Sequence, residues 1–153
     1  MHIRGAKNSD IPAIIILFRQ AVLHATVGDY NKQQRYAWAA RGSDPARWQK
    51  RIATQHFLVA KQADGLVGFG SIASDGYLDV LYVHHAHQGR GVATRLLTAL
   101  EDWASQQKLF EIATDASITA RPFFARHGYE VLKEQQNRIE EEVLINYRMQ
   151  KTL

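Results

Sequence analysis

Two glycines separated by one residue stand between an apolar stretch and an amphipathic one. The turn Gln88–Ala93 reads QGRGVA, follows the apolar run Leu78–Val83 and precedes leucines at helical spacing. The run is too short for a helix and is rich in β-branched and aromatic residues, so it predicts a buried strand. A glycine turn that opens a helix leaves its first N–H groups unpaired at the positive end of the helix dipole. Such a turn binds phosphate, and glycine at positions 89 and 91 removes the Cβ atoms that would prevent close approach.

A second pattern lies downstream of the predicted helix. The turn fits Q-x-x-G-x-[GA], and the segment Ser117–Tyr129 is similar to N-x-x-A-x-x-x-Y-x-x-x-G-[FY]. On these two patterns, in this order within residues 56–132, the chain resembles the GNAT superfamily of acetyl-CoA-dependent N-acetyltransferases. It looks like a small bacterial-type member of that family.

The resemblance implies a fold and a co-substrate. The fold is α+β: one mixed, mostly antiparallel twisted sheet of six or seven strands, flanked by about four helices, with one splayed parallel strand pair in a single domain over residues 1–153. The co-substrate is acetyl-CoA, with no metal, its pyrophosphate on the glycine turn and its pantetheine arm along the splayed strand. The residues expected to bind it are Leu81, Tyr82, Val83, Gln88, Gly89, Arg90, Gly91, Val92, Ala93, Thr94, Ser117 and Phe124.

The chain departs from the family pattern at three positions. Phe124 stands where the family commonly has a tyrosine that protonates the departing thiolate, Ser117 where it commonly has asparagine, and Tyr77 where it usually has an acid. Phenylalanine cannot donate a proton, so the usual general acid does not carry over. A thiol of roughly cysteine-like acidity, with a pKa of about 8.5, can leave as thiolate without a dedicated acid.

Two residues are candidates for catalysis. The resemblance implies direct attack by an amine on the thioester in a ternary complex, and a chain without cysteine suits that route. Asp79 lies in an otherwise apolar strand, where an unpaired carboxylate is costly, so it is either the base or a carboxylate that pairs with an arginine or faces solvent. Ser117 either donates to the thiolate or caps a helix.

The N-terminal third is dense in aromatic residues. The resemblance implies that this region forms much of the acceptor wall, and we expect the acceptor to contact Tyr30, Trp38, Tyr77 and Asp79. The alternative for each ring is simple packing of helices on the sheet. The expected reaction acetylates a primary amine of a small molecule or peptide. Two alternatives stay open: a catalytically silent acetyl-CoA-binding module, and an acetyltransferase acting on an RNA-linked amine.

Periodicity and turn residues place the remaining elements. Helices are predicted at 11–24, 31–40, from Asp44-Pro45 onward, at 91–107 and up to Gly128. Strands are predicted at 2–4, 56–61, 66–72, 77–83, 109–115, 129–132 and 143–149. The strand–helix–strand run from 77 to 115 predicts a right-handed crossover between two parallel neighbours.

Composition favours an ordinary soluble domain. The 153 residues are 46% hydrophobic and 22% charged, carry a net charge of +4, contain no cysteine and have no apolar run of membrane-spanning length. We therefore expect a cytoplasmic monomer or homodimer that neither enters a membrane nor binds nucleic acid. His84, His85 and His87 lack the spacing of a zinc site and are interpreted as loop residues.

Overall fold

A computed structural model describes residues 1–153 and contains seven strands and five α-helices. The strands are β1 (His2–Gly5), β2 (His56–Gln62), β3 (Gly65–Ile72), β4 (Tyr77–Val83), β5 (Glu111–Ser117), β6 (Glu130–Ile139) and β7 (Glu142–Thr152). The helices are α1 (Ile11–Ala25), α2 (Lys32–Ala40), α3 (Pro45–Thr54), α4 (Val92–Gln106) and α5 (Arg121–Arg126).

The strands form one sheet in the order β1-β2-β3-β4-β5-β7-β6. Only β4 and β5 run parallel, and α4 connects them, so the predicted fold class is confirmed. The parallel pairing is limited to two positions, Tyr77 opposite Ala113 and Leu78 opposite Thr114. Beyond Leu78, β4 pairs only with β3, and beyond Thr114, β5 pairs only with β7. The two parallel strands therefore separate in the middle of the sheet.

A β-bulge lies in β4 at the point of separation. Ser71 of β3 faces Val80 while the next residue, Ile72, faces Leu78, so Asp79 is an extra residue without a partner on β3. Bulges are frequent beside active sites because they redirect side chains. Here Leu78 joins the core under α4, whereas Val80 joins the core under α1 and α3.

Helices cover both faces of the sheet. On one face, α4 buries Leu96, Leu97 and Leu100 completely. On the other face, α1 and α3 bury a second cluster that includes Ile14 and Trp48. Each fully buried aliphatic side chain contributes about 1.5–3 kcal/mol relative to exposure. These two layers hold β4 and β5 in place although the strands pair so briefly.

The predicted strand at 109–115 begins later, at Glu111, and extends to Ser117. Helix α4 ends in a Schellman motif: the Leu109 N–H donates to the Ala104 carbonyl at 3.1 Å and the Lys108 N–H donates to the Ser105 carbonyl at 3.0 Å. Lys108 takes the left-handed conformation, with φ of 62°, that glycine usually occupies in this motif. Residues 108 and 109 therefore complete the helix cap and do not start the strand.

The end of the chain also differs from the sequence pattern. The final hairpin is longer than predicted, because β6 and β7 pair from Glu130 opposite Gln150 to Ile139 opposite Glu142. The short helix α5 begins after Ala120 without a side-chain cap. Thr119, two residues before that helix, donates its hydroxyl to the Asp29 carboxylate at 2.7 Å.

Gly42, between α2 and α3, tests how tightly the helical layer is packed. A Cβ atom at this position would lie 2.1 Å from Cδ1 of the buried Phe18 ring. We expect Gly42→Ala to lower the free energy of unfolding by about 1–3 kcal/mol, because the ring must move in a filled core. Urea denaturation measures this change.

Gly28→Ala is the control for that experiment, because nothing lies within 4 Å of its added Cβ. Its effect should stay within about 0.5 kcal/mol. Equal stabilities for the two variants would contradict the packing described here.

Candidate active site

A cleft of about 1060 Å³ lies where β4 and β5 separate. Its walls come from α1, α2 and α3 at one end and from the turn 88–94 with α5 at the other. Every residue expected from the sequence to bind acetyl-CoA or the acceptor lines this cleft, apart from Arg90. The separated strands thus bring the glycine turn and the aromatic N-terminal region onto one continuous cavity.

The glycine turn presents free backbone donors to the cleft. Gly89 and Gly91 have φ angles of 74° and 80°, and an added Cβ at either position would meet no atom within 4 Å. None of the six N–H groups from Gly89 to Thr94 donates to an acceptor within the protein. The Gln88 side-chain amide donates to the Val83 carbonyl at 3.0 Å and ties the turn to the end of β4. Six neighbouring donors at the start of a 15-residue helix form a site for a phosphate or pyrophosphate.

Close packing brings this helix start to the sheet. Gly68 in β3 lies under α4, and a Cβ there would be 2.9 Å from Cγ1 of Val92. Val92, the first residue of α4, is itself buried. The N-terminus of α4 is therefore fixed against the sheet beside the open edge of β4.

The same end of the cleft carries positive or polar groups. Arg126 and His127 of the α5 region line it together with Thr94. His127 places Nε2 3.3 Å from the Thr94 hydroxyl and Nδ1 2.8 Å from the Phe123 carbonyl. These contacts join α5 to the start of α4, and Arg126 adds a cation to this end of the cleft.

Asp79 is a paired carboxylate. Its Oδ2 atom accepts from Arg51 Nε and from Gln55 Nε2, each at 2.9 Å. Gln55 is oriented in turn by the Ser71 hydroxyl, which donates to Gln55 Oε1 at 2.7 Å. The sequence left open whether Asp79 pairs with an arginine, and the structure shows that it does. The Oδ1 atom of Asp79 has no donor within the protein, so one carboxylate oxygen stays available to a ligand or to water.

Tyr77 belongs to a second polar network. Its hydroxyl donates to Asp115 Oδ2 at 2.7 Å, and Asp115 also forms an ion pair with Arg148 at 2.9 Å. Burial, together with the Asp115 carboxylate that accepts the phenolic proton, raises the pKa of Tyr77 well above its usual range. Tyr77 therefore remains protonated and cannot serve as a base near neutral pH.

Ser117 and Phe124 lie where the family pattern departs. The Ser117 hydroxyl oxygen accepts from the Ala120 N–H at 3.0 Å and so stabilises the turn before α5. Phe124 is 4% exposed and makes edge contacts with the rings of Phe123 and Tyr129. Phe124 brings an apolar wall to the cleft and no proton donor.

Tyr30 and Trp38 line the other end of the cleft. The Tyr30 hydroxyl donates to the Ile145 carbonyl at 2.5 Å and accepts from the Ile118 N–H at 2.9 Å. Burial raises the pKa of this hydroxyl above its usual value. Its ring meets Trp38 edge-on at 5.4 Å. Both hydrogen bonds of the Tyr30 hydroxyl are to backbone groups, so they position the surrounding chain. Only the ring of Tyr30 is then available for contact with an acceptor substrate.

Sequence reasoning missed the arginines of the cleft. Arg41, Arg47 and Arg51 all line it, at the end formed by α2 and α3. Arg47 and Arg51 are four residues apart on α3 and so lie on the same side of that helix. The spacing shows only that the two arginines share a side of α3, because exposed arginines four residues apart are also typical of a solvated face.

Histidines gather near the turn without forming a metal centre. The rings of His24 and His85 lie 5.0 Å apart, and those of His84 and His85 lie 5.1 Å apart. Burial, followed by the charges of the neighbouring histidines, lowers the pKa of His84. No group of three or more His, Cys, Asp or Glu side chains is placed to hold a metal ion.

No helix combines the length and apolar character that crossing a bilayer requires.

A seven-stranded mixed sheet that splits beside a glycine-opened helix defines a class of coenzyme-A-dependent acyltransferase folds, and comparison with known proteins identifies the family. Residues 26–153 match the model of the acetyltransferase (GNAT) domain. The chain is 36% identical over 135 residues to the uncharacterized N-acetyltransferase YafP of Escherichia coli K12, covering 88% of this chain and 85% of that protein. The chain belongs to the GNAT family of N-acetyltransferases, so the resemblance seen in the sequence is confirmed.

Two solved structures show how closely the fold agrees. A GCN5-related N-acetyltransferase from Rhodopseudomonas palustris superimposes with a TM-score of 0.95 at 33% identity, over 99% of this chain and 95% of that one. The PaiA N-acetyltransferase from Thermoplasma acidophilum, solved with coenzyme A, superimposes with a TM-score of 0.82 at 18% identity, over 99% and 98% of the two chains.

The free amides of the glycine turn give a direct test of ligand binding. We expect Gly91→Asp to abolish binding of acetyl-CoA, because it adds a carboxylate beside the donors and strains a backbone with φ of 80°. Isothermal titration calorimetry measures the loss. Gly5→Asp, on the exposed end of β1 and outside the cleft, is the control and should bind like the parent protein. Micromolar binding retained by Gly91→Asp would remove the turn from the site.

Proposed function

We propose that the protein transfers the acetyl group of acetyl-CoA to a primary amine of a small molecule or peptide. The observation that carries this proposal is the row of six unpaired N–H groups at one end of a cleft whose other end is lined by aromatic and polar side chains. In this proposal, residues 1–153 form one catalytic domain. The protein is a cytoplasmic monomer or homodimer, and a sequence without cysteine suits that location.

The turn and the open strand edge are suited to hold acetyl-CoA. The amides from Gly89 to Thr94 and the guanidinium of Arg126 would take its phosphates. Residues Leu81 to Val83 lie on the part of β4 that has no β5 partner, so their backbone groups can bind an extended arm. Acetyl-CoA supplies an acetyl group held as a thioester.

The amine attacks directly. Its nitrogen lone pair forms a bond to the acetyl carbonyl carbon, the carbon–sulfur bond breaks, and the sulfur leaves with the bonding electrons as thiolate. The nitrogen loses one proton in the process, to a base or to water. Holding both reactants in the same cleft is a large part of the catalysis, because correct orientation lowers the barrier of a two-reactant step.

Asp79 is the base that we propose. Asp79 lines the cleft, its Oδ1 atom has no donor within the protein, and Arg51 and Gln55 fix the carboxylate through Oδ2. A fixed carboxylate with one open oxygen can accept a proton from the amine or from a water molecule between them. Neither Tyr77, which stays protonated, nor Phe124 offers an alternative base.

Asp79→Asn tests this assignment. The variant keeps the size of the side chain and removes most of its basicity, so turnover should fall on the order of 10²-fold with acetyl-CoA binding nearly unchanged. Thiol release gives the rate and calorimetry gives the affinity. Asp102→Asn, on the exposed side of α4, is the charge-matched control. Parental turnover for Asp79→Asn across the pH range would leave bulk water as the base.

The thiolate should leave without help from the two positions that depart from the family pattern. We expect Phe124→Tyr to bring no gain in turnover, because thiolate departure needs no donor there. Ser117→Ala should lower turnover by less than about tenfold, since the hydroxyl mainly accepts from the Ala120 N–H. The pH–rate profiles of both variants check this. A gain of tenfold or more in Phe124→Tyr at high pH would show that protonation of the thiolate limits the parent enzyme.

A screen of amines with acetyl-CoA separates an enzyme from a silent binding module. Thiol release above the background with at least one amine supports the proposed activity. Stabilisation by acetyl-CoA in a thermal-shift assay, with no thiol release from any amine, would instead support a module that binds acetyl-CoA and does not turn it over.

A further inference from the structure

We propose that the acceptor amine carries an anionic group, a carboxylate or a phosphate, which binds to Arg41 and Arg47. This inference rests on the acetyltransferase function proposed above and names its substrate class. It starts from the charges that line the cleft at the end formed by α2 and α3.

The two carboxylates of the cleft are compensated. Asp79 forms an ion pair with Arg51, and Asp115 forms one with Arg148, each at 2.9 Å. No other aspartate or glutamate lines the cavity. The cleft therefore has no spare negative charge with which to bind an acceptor that carries several positive charges.

Arg41 and Arg47 are cations without a carboxylate partner. Arg41 donates to the Arg138 carbonyl at 3.3 Å, and Arg47 donates to the Arg41 carbonyl at 3.2 Å. Neither guanidinium has a carboxylate oxygen within 4.0 Å. Each keeps most of its N–H donors free, in the planar arrangement that matches a carboxylate or a phosphate.

Hydrogen bonds to backbone carbonyls fix the two arginines at the end of the cleft formed by α2 and α3. The bond from Arg47 to the Arg41 carbonyl links the start of α3 to the end of α2. The bond from Arg41 to Arg138 links the same corner to β6. Two cations without a carboxylate partner give this end of the cleft a positive charge, which favours a bound anion.

The position of Arg47 relates the anion to the reacting amine. Arg47 lies one helical turn from Arg51 on α3, a rise of about 5–6 Å. Arg51 holds Asp79, the proposed base, so Arg47 and the residue that fixes the base lie on the same side of α3. An acceptor whose amino group and anionic group are a few bonds apart suits that arrangement.

Aromatic rings of the same cleft add an apolar surface. Phe18 meets Tyr82 edge-on at 4.9 Å, and Trp38 lies 6.5 Å from Tyr82. All three residues line the cleft. The acceptor thus combines an amine, a nearby anion and a body that packs against aromatic rings.

Two pairs of probe amines test the proposal, each with and without the anion. Phenylalanine is compared with 2-phenylethylamine for the carboxylate, and 2-aminoethyl phosphate is compared with ethanolamine for the phosphate. Calorimetry on the protein saturated with coenzyme A measures binding without turnover. We expect the anionic member of at least one pair to bind about tenfold more tightly, as one charge-assisted hydrogen bond allows. The pair that shows the preference distinguishes carboxylate from phosphate.

Variants then locate the anion. Arg47→Ala and Arg41→Ala should each remove about tenfold of the affinity for the anionic member and leave the neutral member unchanged. Lys50→Ala removes the same charge from the exposed side of α3, outside the cleft, and should change neither affinity. Arg47→Lys should restore part of the loss, and thermal unfolding of all variants checks that they fold.

Two results would overturn the proposal: no preference for the anionic member in either pair, or a preference that survives both arginine variants. Thiol release from acetyl-CoA, measured with the same probes, reports separately on the proposed activity. An anion preference that depends on the arginines, without thiol release from these probes or from any amine of the screen, would uphold this site and refute the activity.

Discussion

The two-residue pairing of β4 with β5 is the constraint on which the rest of the molecule depends. A longer parallel ladder would close the sheet and leave no cleft. A strand edge that ends pairing in the middle of a sheet exposes N–H and C=O groups, which must find water or a ligand. The protein supports that open edge from outside, because β3 holds β4, β7 holds β5, and α4 crosses from one strand to the other. In the proposed complex, the coenzyme arm would complete the edge of β4 in place of β5.

The bulge at Asp79 connects this opening to the chemistry. As the extra residue of β4, Asp79 has no partner on β3, and it lies directly after the last residue that pairs with β5. The bulge therefore places the Asp79 side chain at the point where the cleft begins. Arg51 and Gln55, one from α3 and one just after it, then fix its carboxylate. A charge that would be costly in an unbroken apolar strand becomes tolerable because the bulge, the arginine and the amide act together.

Local patterns predicted much of the fold and one half of the site. Some features depend only on residues that are close together in the sequence, so they could be found from it. They are the glycines of the turn, the apolar stripe of α4 and the Asn31 cap of α2. The left-handed conformation of Lys108 could not be predicted, because lysine has no preference for that conformation. The partner of Asp79 was equally hidden, because Arg51 lies 28 positions away and meets it only when α3 packs on the sheet. The same reason hid Arg41 and Arg47, whose place in the cleft depends on how three helices assemble.

The aromatic residues show that packing and function need not be alternatives. Tyr30 is enclosed, and its hydroxyl bonds to the Ile145 carbonyl of β7 and to the Ile118 N–H just after β5. Those bonds fasten the segment before α2 to the far strand of the opening, across from β4. Two further bonds connect α2 and its end to the last two strands: Gln34 donates to the Val143 carbonyl and Arg41 donates to the Arg138 carbonyl. The buried Tyr30 thus connects two sides of the cleft, and its ring also lines the cavity. For this residue, packing is no argument against the proposed binding role, because the same packed ring contributes to the wall of the cleft.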